Sequence, residues 1–159
     1  MNSTSTMVAS NPSLKPLEVL SGRWDMEIRW SPTTHKLVGG PATVHGATRF
    51  EWIEEGHFLL QHQGGVAGAP DARWLMGRDE TSGEYSVLYA DSRGVSRVYQ
   101  MSFENRVWRL WRKALAFDHY QRFEGRLSAD SRTIEAHWEK SEDGTTWELD
   151  FDLRFVKTD

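Results

Sequence analysis

The side chains best suited to acid–base or metal chemistry are six histidines, and their spacing indicates no preformed site. His57 and His62 share one predicted strand at an odd separation, so they face opposite sides of it. The sequence contains no His-x-His or His-Glu-x-x-His pattern, and it has no cysteine to act as ligand or nucleophile. A metal site built across strands stays open, since opposite residues on neighbouring strands come within about 5 Å.

Motifs for covalent or phosphate chemistry are also missing from the sequence. No Gly-x-Ser-x-Gly motif marks a serine nucleophile. The glycine pairs at 39–40 and 64–65 do not form a phosphate-binding loop, because neither lies between a strand and a helix. We therefore predict a protein without metal, haem or any other cofactor.

Any site must be positioned by strands, because hydrophobicity alternates with a period of two along most of the chain. The C-terminal hairpin, 132–156, shows this pattern most clearly. Gly144 supplies its turn, since glycine readily adopts positive φ. The second arm is predicted to bury one face, made of Trp147, Leu149, Phe151, Leu153 and Phe155.

The same pattern predicts ten strands in one run, with Gly-rich loops at 35–41 and 64–71. No helix is long enough for a crossover, so the sheet must be antiparallel. Closure into a single all-β barrel removes exposed edges, and an open two-sheet sandwich is the alternative. The predicted strands lie at about 23–30, 42–53, 57–63, 72–78, 84–91, 95–103, 107–113, 117–127, 132–141 and 146–156.

The N-terminal end is predicted to differ from the rest. Residues 1–12 are small and polar, which is typical of a disordered tail, and residues 13–159 are predicted to form the barrel domain. Residues 13–20 are predicted to form a short helical segment capped by Ser13. Its apolar side, Leu14, Leu17 and Leu20, is suited to closing one end of a barrel.

Several polar side chains fall on the apolar faces of the predicted strands. His62 shares a face with Leu60, and on 117–124 the face with His119 and Gln121 is the more apolar one. A mostly aromatic cavity with a few polar groups is typical of a small-molecule site, and a tightly hydrogen-bonded core is the competing interpretation. The predicted lumen-lining and ligand-binding set is Trp24, Met26, Leu60, His62, Tyr89, Tyr99, Trp111, His119, Gln121 and Trp138, opening beside the loop 64–71.

Composition narrows the range of partners. The formal net charge is −4, which argues against a nucleic-acid partner. No apolar run approaches the roughly 18 residues needed to cross a bilayer, and the first residues do not resemble a secretory signal. We therefore expect a cytoplasmic protein with no membrane partner, and a homodimer is left open.

Longer segments resemble a known group of proteins. A Gly22-x-Trp24 pattern after a short helical segment is similar to the opening of the calycins, which include lipocalins and fatty-acid-binding proteins. The segments at 50–61, 76–85, 89–99, 121–134 and 138–153 together resemble an uncharacterised bacterial family of calycin-like barrels. The resemblance spans about 17–156 and implies a lipocalin-like antiparallel barrel with no established activity. The haem-ligand motif of the more distant nitrobindin-type barrels does not match the histidines here.

Three functions follow from this reading. The leading hypothesis is a barrel that binds a small hydrophobic molecule in its lumen. The alternative is a cofactor-free isomerase or cyclase, with catalytic candidates His62, His119, Tyr89 and Tyr99. The third is an interaction module that binds a protein through its outer face.

Overall fold

The computed structural model describes residues 8–112 and 120–159, and its strands form a closed antiparallel barrel. Each strand pairs with the next along the chain, and β1 closes the barrel against β10. The predicted all-β barrel of ten strands is thereby confirmed. The strands are β1 (Gly22–Trp30), β2 (Thr43–Ile53), β3 (Phe58–Gly64), β4 (Ala72–Arg78), β5 (Tyr85–Asp91), β6 (Ser96–Glu104), β7 (Val107–Arg112), β8 (Tyr120–Leu127), β9 (Thr133–Ser141) and β10 (Glu148–Lys157).

The barrel wall follows the period-two pattern where β1 meets β10. Met26 lies opposite Phe155 and Ile28 opposite Leu153, and all four side chains are buried. Arg154, between the two buried residues of β10, points outward and pairs with Glu135 at 3.0 Å. The alternation therefore separates an apolar interior from a charged outer surface.

One irregularity in β10 inverts part of the predicted buried face. Leu149 pairs with Glu139 and Phe151 pairs with Trp138, so one extra residue of β10 lies between these two pairs. A bulge of this kind switches the face of every residue before it. The predicted burial of Trp147 and Leu149 is therefore wrong: Leu149 is exposed, and the Trp147 ring lies on the outer surface, 4.0 Å below the Arg122 guanidinium.

A 3₁₀ helix, Pro12–Leu20, closes the end of the barrel at which β1 begins. Its three leucines are completely buried, as the sequence predicted. Its N-cap is Asn11, whose side chain accepts a hydrogen bond from Ser13 N, so the predicted cap at Ser13 is wrong. Proline at the first helical position explains the shift, since it needs no hydrogen-bond partner there. Before the helix, Ser10 N donates to Gly56 O at 2.9 Å.

The opposite end carries a short helix where the sequence predicted only a loop. This helix, α1 (Pro32–Val38), begins at Ser31, whose hydroxyl accepts from Thr34 N at 3.2 Å. The bulge residue Asp150 holds the helix in place: its carbonyl accepts from Ser31 N and its carboxylate accepts from the Thr34 hydroxyl. A serine cap followed by proline is a recognised helix-start signal.

The loop 65–71 folds over the same end and fills the position where an opening was predicted. Val66 is buried, and its side chain occupies the space that a side chain at Gly46 would take. Met26 lies on the other side of that space. Val66 therefore fills the interior next to Gly46, and the pocket beside the loop, lined by Gly64, Gly65 and Asp71, continues onto outer-face residues such as Arg49 and His62.

Aspartates organise several of the turns between strands. Asp143 accepts hydrogen bonds from the backbone N–H groups of Thr145 and Thr146, both at 2.8 Å, and from the Ser141 hydroxyl. These bonds, above all the one from Thr146, hold the pKa of the Asp143 carboxyl well below its usual value. The Arg93 side chain, followed by the Tyr89 hydroxyl, does the same for the pKa of Asp91.

Replacing Asp143 by asparagine should therefore change how stability depends on pH. A carboxyl with a lowered folded-state pKa contributes stability above its unfolded pKa of about 3.9, and loses it as pH falls through the folded value. Urea unfolding from pH 7 to pH 2 should show a less steep acid limb for Asp143→Asn. The difference from the native protein should be greatest above about pH 4 and should shrink towards pH 2. A constant difference across this range would show that the Asp143 charge is not the stabilising feature.

Candidate functional site

Four aromatic rings meet inside the barrel and bridge it from wall to wall. They are Trp74 of β4, Tyr89 of β5, Tyr99 of β6 and Trp138 of β9, named here the aromatic cluster. Ring centroids lie 4.6 Å apart for Trp74 and Tyr89, and 6.0 Å apart for the stacked Trp74 and Trp138. Since β4 and β9 are on opposite sides of the closed barrel, the cluster forms a floor across its interior.

The polar tips of three rings in this floor bond to partners closer to the α1 end. The indole of Trp74 donates to Gln63 Oε1 at 3.2 Å, and the Tyr99 hydroxyl donates to Gln121 Oε1 at 2.9 Å. The Tyr89 hydroxyl donates to the Asp91 carboxylate at 2.6 Å. Each partner lies at or next to the end of its strand. The floor is therefore apolar on the side of the core and polar on the side of α1.

Basic side chains share the inner face above this floor. Arg112, Gln121 and Lys140 are register partners on β7, β8 and β9, and Arg97 precedes Tyr99 by two residues on β6. Arg97 Nη1 donates to Gln121 Oε1 at 3.3 Å. Lys140 Nζ lies 3.6 Å from a Glu148 oxygen and 3.9 Å from an Asp150 oxygen. We call the three basic residues Arg97, Arg112 and Lys140, together with the neutral Gln121 between them, the basic row.

The tyrosines of the cluster are hydrogen-bond donors and not bases. Burial raises the pKa of the Tyr99 phenol, although the Arg97 guanidinium and the Arg112 charge oppose this shift. Burial, followed by the hydrogen bond to Asp91, also raises the pKa of Tyr89. Both hydroxyls therefore keep their protons near neutral pH, and each donates its single proton to the partner named above, so a ligand acceptor would have to replace that partner.

A further polar group is left without a partner on β3. Gln61 is only 3% exposed and lies opposite Trp74 on the inner face. Its Nε2 donates to the Thr48 hydroxyl at 3.1 Å, whereas its Oε1 has no hydrogen-bond partner among the described residues. Buried acceptors are normally paired, so Gln61 offers an unused acceptor beside the aromatic cluster.

Two predicted site residues on β3 lie on the wrong side of the wall. The predicted inward position of Leu60 and His62 is wrong, since Leu59 and Gln61 are the buried residues of this strand. His62 Nε2 lies 2.8 Å from Glu51 Oε1 on the outer surface. The pattern was ambiguous, because apolar residues occupy both faces at 58–60. Phe58 lies over Gly77 outside the barrel, and Leu60 joins an outer row with its partner Leu75.

Trp111 also lies on the outer surface of the barrel, so the prediction that its side chain lines the lumen is wrong. Trp108 and Trp111 are separated by an odd number of residues on β7, so only one of them can face inward. Trp108 is 3% exposed and packs edge-to-face on Phe123, whereas Trp111 is 36% exposed. The buried position of Trp108 places Arg112 on the inner face with it.

The remaining predicted residues divide into three groups. Tyr89, Tyr99, Gln121 and Trp138 meet at the aromatic cluster and the basic row. Trp24 and Met26 face inward but belong to other parts of the core, since Trp24 bonds to Leu20 O and Met26 lies beside Gly46. His119 lies outside the described residues.

The α1 end also carries a pocket at its rim. The pocket has a volume of about 530 Å³ and lies at the β9–β10 hairpin. Lys140 of the basic row lines it together with Trp147 and Glu148. Lys140, one member of the row, is therefore reached from solvent at this side of the rim.

Other site types have little support in residues 8–112 and 120–159. Within these ranges, no group of three or more histidine, aspartate or glutamate side chains is placed to hold a metal ion. No helix in the same ranges is long and apolar enough to cross a membrane. The strand histidines His45, His62 and His137 fall on the outer face.

Comparison with known proteins supports the fold. The structure is similar to that of Rv2717c from M. tuberculosis. The TM-score is 0.60 with 16% sequence identity, and the match covers 93% of this chain and 98% of that chain. No family model matches the sequence, and no curated protein matches it either. At this identity the similarity shows the barrel fold alone.

Proposed function

We propose that this chain is a member of the calycin-like barrels and binds a small, largely apolar molecule at the α1 end of the barrel, on the aromatic cluster. The observation that carries the proposal is a floor of four aromatic rings with its polar tips and a basic row on one side. Aromatic surface with a few convergent polar groups is typical of small-molecule sites. The unpaired Gln61 acceptor lies at the same level of the wall as Trp74.

Other features of the described residues agree with binding. The cluster tyrosines hold their protons, and His62 is on the outer surface. No described histidine on a strand reaches the aromatic cluster. The cytoplasmic location and the absence of nucleic-acid and membrane partners stay proposals that rest on composition.

A neutral apolar probe, N-phenyl-1-naphthylamine, tests the proposal directly. Its binding should quench tryptophan fluorescence and raise the melting temperature, because it binds the folded state only. At 100 times its Kd the stabilisation should be about 2.7 kcal/mol. Trp138→Leu should weaken binding by removing one ring of the floor. Trp111→Leu, on the outer surface of β7, is the matched control and should leave binding unchanged.

Equal binding by the native protein and Trp138→Leu would place the probe elsewhere and contradict the proposal. Absence of quenching and of stabilisation in the native protein would contradict it as well. Mass spectrometry of natively purified protein adds an independent readout, since a co-purified molecule would identify the ligand class. Circular dichroism of both variants confirms that they are folded before binding is compared.

A further inference from the structure

We infer that the bound molecule carries one carboxylate, which the Arg97 guanidinium and the Tyr99 hydroxyl hold in place of the Gln121 amide oxygen. This inference rests on the proposed function and specifies its ligand as a small, aromatic or otherwise flat, apolar monocarboxylate.

Two donors inside the barrel converge on one weak acceptor. Arg97 Nη1 and the Tyr99 hydroxyl both donate to Gln121 Oε1, at 3.3 and 2.9 Å. The guanidinium contact is at the long end for an N–H···O bond. A carboxylate oxygen is a stronger acceptor for both donors than a neutral amide oxygen. The Gln121 oxygen therefore marks the position that a ligand carboxylate oxygen would take.

The charge of Arg97 is not balanced by an acid in the described part of the chain. Among residues 8–112 and 120–159, its guanidinium has no carboxylate within ion-pair distance. Arginines on the outer surface differ: Arg109 pairs with Glu124 at 3.2 Å, and Arg122 pairs with Glu139 at 3.0 Å. Arg97 is half-buried on the inner face, where an unbalanced charge is more costly than at the surface. A ligand anion would remove that cost.

The surroundings favour a carboxylate with a single charge. Lys140, at the other end of the basic row, already lies near Glu148 and Asp150, so it adds little uncompensated charge. The planar fork of a guanidinium matches the two oxygens of a carboxylate. Tyr99 links the two parts of the site, because its hydroxyl faces Arg97 and its ring lies 5.1 Å from Trp74. A carboxylate attached directly to a flat apolar body fits this arrangement.

The test compares two molecules of the same shape, 2-naphthoate and its neutral amide, 2-naphthamide. The native protein should bind the carboxylate more tightly by about 10- to 100-fold, which corresponds to one hydrogen bond to a charged group. Arg97→Met keeps an apolar stem but removes the charge. It should reduce the preference to near one by weakening 2-naphthoate much more than 2-naphthamide, whose amide oxygen loses only a hydrogen bond to a neutral acceptor. Arg109→Met, on the outer surface, is the matched control and should keep the preference.

A second variant keeps the test decisive if Arg97→Met fails to fold. Tyr99→Phe retains the ring and removes only the hydroxyl, so it should also reduce the preference for 2-naphthoate. Equal binding of both molecules by the native protein would overturn the carboxylate inference and leave the proposed function standing. A preference for 2-naphthoate that survives in Arg97→Met would also overturn the carboxylate inference and leave the proposed function standing. If Arg97→Met does not fold, a preference that survives in Tyr99→Phe would do the same. Binding of neither molecule, together with no binding of the neutral probe, would overturn the proposed function itself.

Discussion

Replacing Trp24 by alanine is expected to lower the free energy of unfolding by about 3–5 kcal/mol. The indole is 1% exposed and lies where the barrel wall meets the N-terminal 3₁₀ helix. Its Nε1 donates to Leu20 O at 2.9 Å, so the substitution leaves both a cavity and an unpaired carbonyl. Urea unfolding at 25 °C, followed by circular dichroism, measures the change.

The matched control is Trp147→Ala, which removes the same side chain from the outer surface. Trp147 is half-buried and stacks below Arg122, so its loss should cost about 0.5–1 kcal/mol, the range for an exposed cation–π contact. The period-two pattern places both tryptophans on buried apolar faces. From that pattern alone, the two alanine substitutions would be expected to lower the free energy of unfolding equally. An equal loss of stability in the two variants would contradict the bulge in β10.

The second large effect is expected for Leu17→Ala in the 3₁₀ helix, with a loss of about 2–5 kcal/mol. Leu17 is completely buried and lies between Leu14 and Leu20 on the side that closes the barrel. Its removal opens a cavity that the short, proline-containing helix is poorly able to fill. The free energy of unfolding and the melting temperature both report the change.

Leu37→Ala is the control for this second prediction. Leu37 belongs to α1 at the other end of the barrel and is 79% exposed. Its substitution should change stability by no more than about 0.5 kcal/mol. If Leu17→Ala had an equally small effect, the N-terminal helix would contribute no packing energy to the fold.

The architecture was predictable because each strand carries its own period-two signal and adjacent strands follow one another in sequence. The errors occur where this signal is ambiguous or interrupted. At 58–60 three consecutive apolar residues fit either face, and on β7 two tryptophans at odd spacing compete for the interior. At Asp150 a bulge adds one residue, and nothing in the local sequence indicates it. Face assignment therefore fails where one residue decides between two equally apolar alternatives.

The site was predictable in its aromatic part and not in its charged part. Tyr89, Tyr99 and Trp138 share faces with apolar neighbours, and the more apolar face of 117–124 correctly placed Gln121 inside. Arg112 and Lys140 run against the rule that charged residues face water, so the pattern assigned them no role. Only cross-strand register brings them beside Gln121, and register depends on pairing between distant parts of the chain.

The fit of Val66 into the space above Gly46 has a consequence for sequence variation. The two positions share one volume inside the barrel, so they cannot gain side chains independently. Among related sequences with this loop, a larger residue at 46 should occur with a smaller residue at 66, and glycine at 46 with a branched aliphatic residue at 66. Paired substitution at these positions would mark the relatives whose loop closes over the barrel end as it does here.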